Sequence, residues 1–153
     1  MDELNSLSGA RAWAQAGRLE DWVHGYLLSA GHNPAFSEGL KLDKRYYDGP
    51  VNMPLSLLKR CCGPEEEMAF RVDEAYFEKH VAELQEAVRR GEDMPPLIVN
   101  YRAEGFVLND GNHRFEALCR LGAESAWAIV WTSSQADREA FWNGFGGKMA
   151  IKD

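Results

Sequence analysis

The stretch Phe106-Val-Leu-Asn-Asp-Gly-Asn-His-Arg-Phe-Glu-Ala-Leu-Cys-Arg-Leu-Gly122 changes its hydrophobic period in the middle. Its first three residues form an apolar run that is typical of a strand. After the polar centre, Phe115, Leu118 and Cys119 recur at helical spacing. Gly122 then stands where a left-handed helix C-cap belongs. We therefore expect a strand, a turn and a helix, with Cys119 on the buried face of that helix.

The turn Asp110-Gly111-Asn112 joins this strand to the N-terminus of the helix. Backbone N–H groups in a first helical turn lack intrahelical partners, and the helix dipole is positive there, so the turn can hold an anion. Gly111 lets the backbone approach a ligand closely, and His113 and Arg114 add donors that suit a phosphate. An ordinary strand–helix connection with a solvated His–Arg pair fits the spacing equally well. Because Arg114 leads into a helix, we do not expect it to pack in the core.

Composition limits the class of protein. The chain has 153 residues, 45% of them hydrophobic and 27% charged, which suits one soluble domain with a real core. It contains no run of about 18 apolar residues and no signal peptide after Met1, so we expect a cytoplasmic protein without a membrane span. A net charge of −7 argues against duplex DNA binding by this chain alone. The three cysteines have neither metal-site nor CxxC spacing, and no bound metal cluster is expected.

The first third of the chain predicts helices followed by a connection. Helices are expected over 8–16, with Ser8 as N-cap, and over 18–30. Residues 31–50 are rich in Gly and Pro and are interpreted as a long loop. His32 and Tyr46-Tyr47 within it could either pack or reach a site. We expect residues 1–50 to form an extension packed on a core domain of residues 51–153, in one compact unit.

The rest of the chain alternates between strands and helices. A strand over 51–55 contains Pro54, which favours an edge, and Ser56 could cap a brief helix to Arg60. Asp73 is expected to cap a helix that ends at Gly91. The remaining elements are a hairpin of 97–101 and 106–108, the central helix, a strand over 126–131, and a last helix from Ser134 to Gly144. This order predicts an α+β domain.

Three ordered segments resemble the ParB/sulfiredoxin superfamily. Met53-Pro-Leu-Ser-Leu-Leu-Lys-Arg60 is similar to the opening strand and following arginine of sulfiredoxins. Met94-Pro-Pro-Leu-Ile-Val99 resembles the double-proline entry to the next strand, and Asp110-Gly-Asn-His-Arg114 resembles the glycine-to-arginine signature. The similarity covers roughly half the chain, 51–131. It implies a small mixed sheet with flanking helices, to which the N-terminal helical extension is added.

The resemblance also implies a nucleotide site. Gly111, Asn112, His113 and Arg114 would lie on the phosphates, with Arg60 as a second positive charge. An early lysine of sulfiredoxins is matched in position by Tyr76, and Lys79 one turn later is a possible substitute. Asn112 stands at the position of the catalytic cysteine of sulfiredoxins, so reduction of a sulfinic acid is rejected. ParB proteins have a metal-binding glutamate there, for which Asn112 is a weaker ligand.

Three classes of function remain open: a phosphotransferase or nucleotide hydrolase, a nucleotide-sensing module, and a nucleic-acid-processing or toxin-type protein. Free-serine kinases of this superfamily have a motif that also begins Asp-Gly and ends in Arg, which implies Asp110 as a base or Mg²⁺ ligand. Asp110 could equally be an Asx-turn residue, and Glu116 a surface carboxylate rather than a base. The chain would then be a small phosphotransferase or nucleotide hydrolase using ATP, ADP or CTP with Mg²⁺. The alternative is a non-enzymatic nucleotide-sensing, DNA-partition or toxin-associated module. The sequence leaves open the base, the small-molecule or protein acceptor, and the oligomeric state.

Overall fold

Four strands form a mixed sheet whose order across the sheet is β1-β6-β4-β5. The computed structural model describes residues 2–146. Its strands are β1 (Tyr46–Pro54), β2 (Cys62–Gly63), β3 (Phe70–Arg71), β4 (Leu97–Arg102), β5 (Gly105–Asp110) and β6 (Ser125–Thr132). Its helices are α1 (Leu7–Gln15), α2 (Leu19–Leu28), α3 (Pro34–Leu40), α4 (Glu74–Arg89), α5 (Asn112–Arg120) and α6 (Gln135–Phe141), followed by a π-helical turn at Trp142–Gly146.

The two central strands, β4 and β6, run parallel to each other, and both edge pairings are antiparallel. β4 and β6 are buried on both faces, which explains their nearly continuous apolar sequences. β1 is an edge strand, as Pro54 predicted, because proline cannot donate to a ladder. The hairpin of β4 and β5 brings Asp110, at the end of β5, beside Ile98 near the start of β4.

Alternate residues of the central strands enter two separate cores, one on each face of the sheet. Val99 and Val130 face the core that includes Phe115 of α5 and Phe141 of α6. The other face packs against the N-terminal helices; its core contains Ala10, Leu19, Trp22, Val23, Tyr26, Leu27, Leu40, Ile98, Ile129 and Trp131. The first three helices therefore form a complete layer over the sheet.

Several predicted elements are confirmed. Asp73 caps α4 by accepting from the Tyr76 N–H, and Gly91 follows that helix with φ +73°. The hairpin, the central helix, the last strand and the Ser134 cap of the last helix are also present. The α+β class is therefore confirmed. In residues 2–146, no helix is long and apolar enough to cross a membrane.

The interpretation of residues 31–50 as a loop is wrong. Asn33 caps α3 by accepting from the Phe36 N–H, Pro34 occupies the first turn, and β1 already begins at Tyr46. Glycine and proline dominated the sequence pattern, although proline favours the first turn of a helix. The strand also crosses the expected boundary at residue 51, so a division into extension and core remains a prediction.

Smaller corrections concern caps and faces of helices. Ser6, not Ser8, caps α1, and Ser8 instead donates its hydroxyl to Asp93. Residues 55–57 form one 3₁₀ turn in place of the helix expected over 56–60. The last helical segment continues to residue 146, past Gly144. Cys119 is exposed on α5, whereas Ala117 occupies the buried face.

Candidate functional site

The turn between β5 and α5 is built on a glycine that another residue could not easily replace. Gly111 has φ +97° and is the N-cap residue of α5. Within the described residues no side chain caps this helix, so its first N–H groups remain open to an anion. A Cβ at Gly111 would lie 2.6 Å from Leu97 Cδ2 and 2.9 Å from Arg114 Nη2. The turn thus requires both a left-handed backbone and a missing side chain.

Arg114 lies beneath the turn. Its Nη1 donates to the Tyr26 hydroxyl at 3.1 Å, and its Nη2 donates to the Pro96 carbonyl oxygen at 3.1 Å. Nη2 is also 3.5 Å from Oδ2 of Asp110. Only 13% of the Arg114 side chain is exposed, so the expectation that it would stay clear of the core is wrong. Among the described residues, both terminal nitrogens of Arg114 donate within the protein, whereas its buried Nε has no hydrogen-bond partner.

Asp110 is held from two sides. Its Oδ2 accepts a 2.8 Å hydrogen bond from the Tyr26 hydroxyl and pairs with Arg114, and 12% of its side chain is exposed. Burial raises the pKa of Tyr26 to about 12, so the hydroxyl keeps its proton and donates. From the sequence, Tyr26 is only one residue of the helix expected over 18–30. Its contact with Asp110 joins residues 84 positions apart, which helical periodicity does not reveal.

The Asn112 side chain points inward from the start of α5. It is buried, and its Oδ1 accepts hydrogen bonds from the N–H groups of Cys61 and Cys62 at 2.8 and 3.2 Å. The Cys61 thiol in turn donates to the Leu108 carbonyl oxygen. This position therefore anchors the segment after residue 60 to the start of α5, and its oxygen is taken by backbone donors.

Arg60 is surrounded by carboxylates. It makes two hydrogen bonds to Glu65, at 3.0 and 2.6 Å, and one to Glu116 at 3.0 Å. The hydrogen bonds with Glu65 are the main cause of the raised pKa of Arg60. Glu116 also accepts from Arg120 at 2.8 Å. The expected second positive charge is thus present near α5 but balanced by its neighbours.

Three aromatic side chains line the gap between α4 and α5: Tyr76, His80 and His113, which we call the aromatic shelf. The two imidazole rings stack with centroids 4.5 Å apart, and the Tyr76 ring meets both edge-on at 5.8 and 6.0 Å. Tyr76 is 57% exposed. Burial, followed by the charges of His80 and Arg114, lowers the pKa of His113 to about 4, so this residue is neutral at pH 7.

Lys79 and a bound Mg²⁺ are the remaining predicted parts of the site. Lys79 is exposed on α4 beside His80. Among residues 2–146, no three His, Cys, Asp or Glu side chains are arranged to hold a metal ion. Asp110 does not fit the role of a lone Mg²⁺ ligand, since a cation already pairs with its carboxylate. Any Mg²⁺ would have to be bound chiefly through the phosphates of a ligand.

Comparisons with known proteins agree with this architecture. No protein-family model and no curated protein matches the sequence. Sulfiredoxin from Arabidopsis thaliana is 21% identical over 59% of this chain and 92% of its own, with a TM-score of 0.44. The C-terminally truncated chromosome-partitioning protein ParB from Caulobacter crescentus, complexed with CTP-gamma-S, is 14% identical over 71% of this chain and 55% of its own, with a TM-score of 0.43.

In fold, the chain resembles these two proteins. A pNOB8-like ParB N-domain is also similar, with 20% identity over 72% of this chain and 40% of its own, and a TM-score of 0.37. The resemblance that the three sequence motifs predicted is confirmed at the level of the fold. At these identities it extends to the fold alone, and the ligand of the ParB structure is a property of that protein.

Proposed function

We propose that the chain binds a nucleotide, with its phosphates at the N-terminus of α5. The observation that carries the proposal is the open first turn of α5 after Gly111, where no side chain among the described residues takes the N–H groups. An anion accepts hydrogen bonds from such a turn and is stabilised by the helix dipole. The buried charge of Arg114 beneath the turn favours the same ligand, although Asp110 offsets part of it.

The aromatic shelf supports a nucleotide over a bare phosphate. His113 belongs to the first turn of α5, so the shelf begins at the proposed phosphate site and extends along α4 to Tyr76. The largely exposed Tyr76 ring offers a face on which a nucleobase could stack. Such stacking contributes about 1–3 kcal/mol for each base and tolerates different bases. Base identity therefore stays open among ATP, ADP and CTP.

The geometry favours binding over phosphoryl transfer. Both carboxylates considered as catalytic bases are ion-paired, Asp110 with Arg114 and Glu116 with Arg60 and Arg120. A paired carboxylate is a poor proton acceptor, because its charged form is already stabilised by the arginine. We therefore propose a nucleotide-sensing or nucleotide-binding module in preference to a phosphotransferase or hydrolase. Duplex DNA is not part of the proposal, since the net charge is −7.

Calorimetric titration with ATP, ADP, CTP and inorganic phosphate, each with and without Mg²⁺, tests the proposal. Tyr76→Ala should weaken nucleotide binding about tenfold, by loss of base stacking, and leave phosphate binding unchanged. Trp142→Ala, which removes an exposed aromatic ring from the C-terminal end, is the matched control and should have no effect. A parent protein that binds none of these ligands below about 1 mM would contradict the assignment.

A further inference from the structure

We infer that Tyr26, which belongs to the N-terminal helical layer, is a positioning residue for the anion-binding turn. This inference rests on the proposed function, because it concerns the same turn. The Tyr26 hydroxyl stands between Asp110 and Arg114, donating to the carboxylate at 2.8 Å and accepting from the guanidinium at 3.1 Å. Asp110 immediately precedes Gly111, and Arg114 lies in the first turn of α5. One hydroxyl therefore ties together both flanks of the turn.

The Tyr26 ring is rigidly placed for this role. It is 3% exposed and stacks on Trp22 with centroids 5.1 Å apart and planes 4° from parallel. The guanidinium carbon of Arg114 lies 5.8 Å from the centre of the Tyr26 ring. A buried ring with a buried partner has little rotameric freedom, so the position of its hydroxyl is fixed by α2. The position of the N-terminal helical layer therefore helps to fix the position of the turn.

The hydrogen bonds of Arg114 to Tyr26 and Pro96 also explain why its side chain stays beneath the proposed anion site and does not extend into it. Within the protein, Nη1 of Arg114 donates to the Tyr26 hydroxyl, and Nη2 donates to the Pro96 carbonyl oxygen and to Asp110. Without the hydroxyl, Nη1 would lose its acceptor and the carboxylate of Asp110 would lose its neutral donor. Asp110 and Arg114, already 3.5 Å apart, can then close on each other, which would move both flanks of the turn. The hydroxyl therefore holds the two charged side chains, and with them the turn, in place.

Tyr26→Phe removes only the hydroxyl, and Tyr47→Phe is the matched control. Tyr47, a half-buried residue, also packs against the N-terminal layer, but its hydroxyl is buried with no hydrogen-bond partner among the described residues. Tyr26→Phe should weaken binding of inorganic phosphate about five- to tenfold, whereas Tyr47→Phe should bind as the parent does. Binding is measured by titration calorimetry at a temperature at which all three proteins are folded.

A spectroscopic readout separates positioning from general destabilisation. In ¹H–¹⁵N spectra of the ligand-free proteins, Tyr26→Phe should shift the Arg114 Nε–H signal and the amides of Gly111 and His113. Tyr47→Phe should leave these signals in place. If Tyr26→Phe does not fold, Asp110→Asn weakens the same contact from its other end and should shift the Arg114 Nε–H signal and the amide of His113; the amide of Gly111 is not compared, because it follows the substituted residue.

Failure of the Tyr26 inference and failure of the proposed function give different results. Parent-like phosphate binding by Tyr26→Phe, or unshifted turn amides in that variant, would overturn the inference. A parent protein that binds neither phosphate nor nucleotide would overturn the proposed function. In that case the ligand-free spectra alone decide the role of Tyr26: shifts confined to the turn and Arg114 support it, and their absence refutes it.

Discussion

Arg114 and Asp110 place opposite charges in the interior, directly under a backbone turn. Arginine remains charged when buried, so its stability there depends on its partners. The structure supplies three: the carboxylate, a hydroxyl and a carbonyl oxygen. From the sequence, Arg114 was predicted as a donor that reaches outward. The partners that turn it inward, Tyr26 and Pro96, lie 88 and 18 residues away, so no local pattern shows them.

Removing one charge of this pair should be costly. We expect Arg114→Ala to lower the free energy of unfolding by about 3–5 kcal/mol, because it leaves a buried carboxylate unpaired. The double variant Arg114→Ala/Asp110→Ala should lose less than the sum of the two single changes, since neither charge is then left alone. Urea unfolding of the four proteins measures this coupling. Strict additivity, or a loss below about 1 kcal/mol for Arg114→Ala, would show that the pair is not energetically buried.

The stacked histidines predict a pH dependence. The pKa of His113 is lowered from 6.5 to about 4, mainly by burial. Below pH 6.5 the unfolded chain therefore takes up a proton that the folded protein does not, and stability falls as the pH drops from about 6.5 to about 4. Because His113 is only half-buried, solvent screening reduces the expected loss to about 1–2 kcal/mol.

His113→Gln isolates this contribution. Unfolding free energies of the parent and the variant are compared at pH 7 and pH 4.5, and the parent should lose more stability between them. The burial-lowered pKa of His24 affects both proteins alike and cancels in the difference. His32→Gln, at an exposed histidine outside both cores, is the control and should behave as the parent. Equal pH dependence in all three proteins would refute the prediction.

At the level of elements, the β5–α5 turn depends on Gly111 for two reasons, and a second glycine separates them. Gly111→Ala meets both an unfavourable φ of +97° and contacts of 2.6 and 2.9 Å. Gly91→Ala meets only the unfavourable φ, +73°, with nothing within 4 Å of the new Cβ. We expect losses of about 2–4 kcal/mol for Gly111→Ala and about 1–2 kcal/mol for Gly91→Ala. Chemical unfolding measures the loss of stability in both variants. Equal losses would mean that the side chains of Leu97 and Arg114 move aside from the new Cβ at no cost.

The elements also show how far the sequence could predict the structure. Features set by neighbours in the chain were predicted correctly, such as the Asp73 cap and the β4–β5 hairpin. The helix α3 was missed, although Asn33-Pro34 is a favourable helix start, because residues 31–50 are rich in Gly and Pro. The β5–α5 turn was predicted from its glycine, whereas the charge balance around it was not. Glu65 neutralises Arg60, and Tyr26 accepts a hydrogen bond from Arg114 in the interior. Only the tertiary structure determines these contacts.

In the molecule as a whole, the N-terminal helical layer covers one face of the sheet. Ile98 and Ile129 are fully buried in the core that the first three helices cover. Asp93, which precedes β4, accepts hydrogen bonds from the N–H groups of Leu7 and Ser8 at 3.0 and 3.3 Å and so fixes the start of α1. The layer is thus joined to the rest by a shared apolar core and by the hydrogen bonds of Asp93 at the start of α1.

A chain that begins at Asp43 tests whether the remaining residues can fold without this layer. It keeps β1 intact but exposes the sheet face that includes Ile98, Ile129 and Trp131. Burial of apolar surface stabilises a fold by about 25 cal/mol for each Å², and a domain has only about 5–15 kcal/mol of net stability, so losing one of two cores should abolish cooperative unfolding. Asp93→Ala in the full chain is the matched control: it loses only the hydrogen bonds of Asp93 with Leu7 and Ser8, should cost about 1–2 kcal/mol, and should remain folded. Thermal unfolding followed by circular dichroism, with size-exclusion chromatography, compares the three proteins. A monomeric shortened chain with a sharp unfolding transition would show that the N-terminal helices are an appendage, and that the β5–α5 turn is held by the sheet and α5 without them.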